Sequence, residues 1–247
     1  MVKLANVTAF LVMIIVNGAA NALPLNGVTT AEISDRYGNL LTPAGYVFAI
    51  WGLIYVLLVA FTYYQYALAD DELHDKIGWY FVASCLFNSI WIFFWHYEYI
   101  ALSVIAMAGL FISLGIVYIR LEVKNGQTPQ KMLYMVNIPF SVYMGWITVA
   151  SIANISSLLV ALGWKAYNIT AIYNTAALIL ITLILVLINI HLRDDAAYAA
   201  VLVWALIGIA VKQMNTWLVP YVAGLCAAII IVVIALKKMG ILWKVSQ

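Results

Sequence analysis

The chain has 247 residues, of which 66% are apolar and only 9% charged, and its mean hydropathy is +1.03. Lys, Arg, Asp and Glu are too few to coat a water-soluble domain of this length, so lipid must serve as the main solvent. The net charge of +2 comes from bases scattered through short polar segments; no stripe of them could track a phosphate backbone, which argues against nucleic acid as a partner.

Crossing a hydrocarbon core of about 30 Å takes roughly 20 apolar residues at helical rise. Eight runs in this sequence are candidates for such spans. The first, Leu4 to Leu23, follows Lys3 and ends in Ala20-Asn21-Ala22, so it also fits a cleavable signal peptide, and composition leaves both readings open. After it comes the one long loop, Pro24 to Pro43, with Asn26-Gly27, Thr29, Thr30, Glu32, Asp35 and Arg36. Its length suits either a lid over a site or a solvated connector.

The second run is Gly45 to Leu68. The third, Ile77 to Trp95, follows an acidic cluster of Asp70, Asp71, Glu72 and Asp75. The fourth is Ile100 to Tyr118; Leu114, Tyr118 and Arg120 make a cholesterol-type pattern there, but any apolar helix ending in Tyr and Arg produces one. Tyr134 to Leu162, Tyr167 to Leu192, Ala196 to Val211 and Trp217 to Leu236 complete the set. Backbone groups in lipid must be paired within a helix or a closed barrel. Leu178 to Ile190, reading LILITLILVLINI, never alternates as a barrel strand would, so an all-α, polytopic transmembrane helical bundle of about eight spans is expected.

On alternate sides of these spans, Lys3, Lys76, Arg120, Lys124, Lys131, Arg193, Lys237, Lys238 and Lys244 face Arg36, Lys165 and Lys212. By this bias both termini are expected in the cytoplasm and the long loop outside; the expected location is the cytoplasmic membrane. Cys85 and Cys226 fall inside apolar runs, with neither metal nor redox spacing.

Ionisable residues at membrane depth are the usual functional pointers, because burying them in hydrocarbon is costly. Here His96, Glu98, His191, Arg193 and Lys212 all sit at span ends and read as interfacial or snorkelling groups. Lys212 late in a bundle suggests a retinal Schiff base, but no span interior supplies a carboxylate counter-ion. The same lack argues against proton pumping and acid/base catalysis, and with no phosphate loop, zinc spacing or activated nucleophile the chain is not expected to be an enzyme.

What remains at depth is neutral. Asn88, Asn137, Asn154, Asn174 and Asn189, with Trp51, Trp91, Trp146 and Trp204, are expected to face the bundle interior, where indole N–H and amide groups find partners. Trp79, Trp95, Trp164, Trp217 and Trp243 fit the interfacial belt. Trp51 and Tyr55, Asn88 and Trp91, and the series Trp146, Ala150, Asn154 recur at helical spacing. Such stripes fit either a pocket for a flat, mostly apolar ligand or close helix packing through small residues.

Three separated segments resemble the tryptophan-rich sensory protein family, also called the TspO/MBR or translocator protein family. The first is Thr42-Pro43-Ala44-Gly45-Tyr46-Val47-Phe48 with Trp51 and Tyr55; Ala44 stands where the family pattern has a second Pro, and the interval to Trp51 is one residue shorter. The second is Leu86-Phe87-Asn88-Ser89-Ile90-Trp91 with Phe93-Phe94, and the third runs from Tyr143 through Trp146 and Ala150 to Asn154, with Pro139 displaced by three positions.

This resemblance implies that the first helix is retained, that residues 1–162 form a five-helix TspO-like membrane domain, and that residues 163–247 add a three-helix extension. It implies a receptor for a flat hydrophobic molecule, a porphyrin or a sterol, in a pocket between helices beneath the first loop. By matching position the ligand-binding residues would be Pro43, Phe48, Trp51, Tyr55, Asn88, Trp91, Tyr143, Trp146, Ala150 and Asn154. No covalent cofactor is implied, although a tetrapyrrole ligand is; the expected partners are the lipid bilayer and a hydrophobic small molecule, and a homodimer is an assembly compatible with them. The alternatives are a small-molecule transporter or exporter, motivated by the extra spans, and a C-terminal module that docks a partner enzyme.

Overall fold

The computed structural model describes residues 2–23, 25–69, 71–122 and 128–242, and among them it is all-helical. Pro24, Asp70, Lys124, Trp243 and Lys244 lie outside the described residues. Eight long helices occupy the places of the eight apolar runs: α1 (Val2–Ala22), α3 (Ile50–Ala67), α5 (Tyr80–His96), α6 (Ile100–Arg120), α8 (Ile138–Ala161), α9 (Ile169–Arg193), α10 (Ala196–Lys212) and α11 (Val219–Lys238). Six of these segments are long and apolar enough to cross a bilayer by the usual length criterion; α5 and α10, at 17 residues each, are shorter and equally apolar. The chain is an integral membrane protein.

Three short helices interrupt what the apolar pattern treats as loop. The long connection folds into α2 (Thr30–Arg36), and the acidic cluster enters α4 (Asp71–Ile77), which Gly78 at φ +51° separates from α5. A single turn, α7 (Gln130–Met132), runs through a π turn at Leu133–Asn137 into α8. Pro139 has no N–H for a regular helical bond, and the wider turn lies just before it. A 3₁₀ segment, Gly45–Ala49, leads into α3.

Helix α8 is the hub, packing against α3, α6 and α10. α1 lies against α3 and α5, and α5 against α6, which closes a ring of five helices around the faces of α3, α5 and α8. α10 leans on α8 and on α11, and α11 on α9. Two glycines allow α10 to come close. A Cβ on Gly145 would sit 3.0 Å from the Tyr198 carbonyl oxygen, and one on Gly208 would sit 2.2 Å from Val47 Cγ2. Where no hydrophobic effect drives helices together in lipid, such close approach is what association gains from.

The last three helices are joined to the first five by specific polar contacts as well. Tyr118 donates to Asp195 Oδ2 at 2.8 Å and accepts from Asn189 Nδ2 at 2.9 Å, with the Arg193 guanidinium over its ring. Asp195 is fully buried and caps α10 by accepting from the Tyr198 amide at 3.0 Å. Within the last three helices, Lys237 pairs with Asp194 at 3.1 Å and donates to the Ile190 carbonyl. Tyr118 therefore points inward, and the cholesterol-type pattern at the end of α6 is a helix-packing feature.

Candidate functional site

Residues one helical turn apart on α3, α5 and α8 bring their aromatic rings to one level of the bundle. Trp51 stacks on Trp91 with centroids 5.7 Å apart and planes 30° apart, and Trp91 stacks on Trp95 at 6.0 Å. Trp146 meets Trp51 edge-on at 6.1 Å and Phe48 edge-on at 5.9 Å. Such offset and edge-to-face pairs are the favoured geometries for aromatic quadrupoles.

The polar atoms at this level are largely committed. Trp91 Nε1 donates to Asn154 Oδ1 at 3.1 Å, and Asn154 Nδ2 donates to Ser103 Oγ at 2.9 Å, linking α5, α8 and α6. Trp95 Nε1 donates to the Thr30 carbonyl at 3.1 Å. The exception is Trp146, which is 2% exposed and whose Nε1 has no hydrogen-bond partner. A buried donor without a partner costs about 1–3 kcal/mol, so this N–H is a place where an arriving acceptor would be rewarded.

These rings line a small cavity of about 30 Å³, room for a water molecule and little more. Seven of the ten sequence-predicted residues line it: Pro43, Phe48, Trp51, Trp91, Trp146, Ala150 and Asn154. The other three lie one turn further from α2 and form the layer beneath. Tyr55 stacks under Trp51 at 5.8 Å, Tyr143 meets Trp51 edge-on at 6.2 Å, and Asn88 Nδ2 donates to Tyr143 Oη at 3.1 Å. Asn88 Oδ1 accepts from Asn17 of α1 at 2.7 Å, a partner that spacing within one helix could not reveal. Below that layer Phe61, Phe81 and Phe140 close the bundle, with centroids 4.7 to 5.8 Å apart.

The roof is α2. Thr29 and Glu32 form a capping box: Thr29 N donates to Glu32 Oε2 at 2.6 Å and Glu32 N donates to Thr29 Oγ1 at 3.3 Å. That backbone N–H holds the Glu32 carboxyl below the usual carboxylate range. Thr30 and Ser34 of this helix reach the cavity wall. Ion pairs tether it on two sides, Arg36 to Glu98 at 2.6 Å and Asp35 to Lys212 at 2.9 Å. Tyr37 donates to Glu98 at 2.9 Å, and burial together with that carboxylate pushes its phenol up.

Several positions differ from expectation. His96 is no snorkelling residue: it is fully buried, its Nδ1 facing the Leu25 carbonyl at 3.2 Å and its Nε2 facing Thr30 Oγ1 at 3.1 Å. A carbonyl can only accept, so the neutral ring carries its proton on Nδ1 and takes the Thr30 hydroxyl on Nε2. Trp95, expected in the interfacial belt, is 4% exposed, because α2 covers the end of α5. Trp204 is more open than expected at 38% and donates to the Val47 carbonyl at 3.1 Å. Asn174 is exposed, on a face of α9 turned away from the aromatic cavity. Trp79, Trp164 and Trp217 are exposed, as a belt requires.

A family model described as TSPO-like protein matches residues 3–236, running through all eight long helices. No curated protein and no solved structure matches the chain.

Proposed function

The chain belongs to the TSPO-like protein family, and on that premise we propose that it is a membrane receptor for a flat, largely apolar molecule, a porphyrin or a sterol, held among Trp51, Trp91 and Trp146. The observation that carries this reading is the unpartnered indole N–H of Trp146 beside the cavity. Three indoles supply faces for stacking, and the buried N–H of Trp146 would take the polar edge of the guest, a carboxylate of a tetrapyrrole or a hydroxyl of a sterol. The closed cavity is smaller than either ligand, so binding requires the rings to part and α2 to yield, a rearrangement common among regulatory proteins.

Transport is the second reading, and the packing beneath the cavity weighs against it. The Asn17–Asn88–Tyr143 chain and the three-phenylalanine layer below it leave a dead end, which suits capture more than passage. Nine bases against three support cytoplasmic termini and an outward-facing α2; the membrane we propose is the cytoplasmic one.

Protoporphyrin IX titrated into the nanodisc-embedded protein, followed by its own absorption band, tests the reading. Saturable binding is expected, weakened about tenfold in Trp51→Phe and Trp146→Phe, the loss of one well-placed ring or hydrogen bond. Equal affinity in both variants would remove the pocket. Flux of the same porphyrin into proteoliposomes, saturating and gradient-dependent, would move the assignment to transport.

A further inference from the structure

Helices α8 and α9 are joined by a short loop yet do not pack together. α8 packs on α3, α6 and α10, while α9 packs chiefly on α11 and more lightly on α10, so the two diverge and leave a cleft of about 390 Å³ on the α2 side of the membrane. That volume lies within the range of small-molecule sites. Its wall is mostly apolar, with Leu159, Leu178 and Ile181 along the helices, and Asn39, Ser156, Asn174 and Thr175 are the polar side chains among its lining. An apolar trough with a few polar side chains in its lining matches an amphipathic molecule lying along the acyl chains.

The cleft also leads somewhere. A second hollow, between α8, α9 and α10, shares Leu41 with the cleft and shares Val149 and Ala153 with the aromatic cavity. The three spaces follow one another along α8, with Leu41 at the first boundary and Val149 and Ala153 at the second. Gln213, just past the end of α10, fastens the segment carrying Leu41, donating to the Asn39 carbonyl at 3.2 Å. Above the cavity, by contrast, α2 is tied down by two ion pairs and by His96 and Trp95.

We propose that the α8–α9 cleft is the lateral port through which an amphipathic, membrane-dissolved ligand reaches the aromatic cavity, with Leu41 and Ala153 as the inner door. The proposal rests on the receptor reading of that cavity. A ligand passes a port on entry and again on exit. An obstruction there slows both directions by one factor and leaves the equilibrium alone, whereas damage to the pocket changes affinity.

The experiment is stopped-flow mixing of protoporphyrin IX with nanodisc-embedded protein, wild type against Asn174→Phe and Ala177→Phe, two exposed positions in the cleft whose substitution leaves the core untouched. Both variants are expected to bind and to release about tenfold more slowly with Kd unchanged, a shift inside the span that association rates show among variants of one site. Separately, a diazirine-bearing fatty acid photolysed in the same nanodiscs is expected to label the α9 segment 174–181. Wild-type rates in both variants, or labelling that avoids this segment, overturn the port while leaving the receptor reading intact. Absence of porphyrin binding in the wild-type protein overturns the receptor reading and the port with it, and labelling of the cleft then marks it as an amphiphile site only.

Discussion

Asn154 shows what a single neutral side chain does in this bundle. Its amide takes the Trp91 N–H and gives to Ser103, so one residue on α8 fastens α5 and α6 at the level of the cavity. Asn154→Leu keeps the volume and strands the Trp91 donor, with an expected cost of about 1–3 kcal/mol. Thermal unfolding in detergent checks this, and a melting temperature equal to wild type would show that the link is dispensable. Trp51, Trp91, Trp146 and Asn154 were legible because each shares a helical stripe with another polar or aromatic residue. Trp95 and His96 were not, since a tryptophan and a histidine at the end of an apolar run look interfacial until something covers that end. The covering helix belongs to another part of the chain, and no spacing within α5 reports it.

That helix, α2, is the element on which the site depends. Its sequence carries a readable signal, Thr29 followed three residues on by Glu32, the pattern of a capping box, which the reading of this stretch as loop passed over. Because the box lowers the Glu32 pKa, its contribution is whole above the ordinary Glu value of about 4.3 and is lost as pH falls through the lower folded value. Amide exchange in Thr30–Arg36, corrected for its intrinsic pH dependence, is therefore expected to quicken in acid below about pH 4. Thr29→Ala is expected to show the same faster exchange at neutral pH. Protection unchanged by either would mean that the tethers to Glu98 and Lys212 hold α2 without its cap. The eight long helices were legible for a different reason: an apolar run of that length has no other stable form in lipid.

Across the whole molecule, the last three helices do more than extend the bundle. Lys212 and Gln213 hold the α2 segment, Trp204 and Gly208 seat the turn at Val47, and Asp195 receives Tyr118. None of these partnerships could be read from composition, because each joins residues far apart in the chain through atoms whose helices give no hint of facing one another. Truncation after Trp164 is expected to yield a protein whose α2 exchanges its amides freely and whose melting temperature falls. Retention of both properties would favour a separable docking module. On the receptor reading, the Trp146 indole N–H is the donor that a bound guest engages. The most direct measurement is the indole N–H resonance of Trp146 in the NMR spectrum of the nanodisc-embedded protein, assigned by its loss in Trp146→Phe and followed as protoporphyrin IX is added. A saturable downfield shift, as that proton gains an acceptor, is the predicted result; a resonance that stays in place while porphyrin binds would contradict the account.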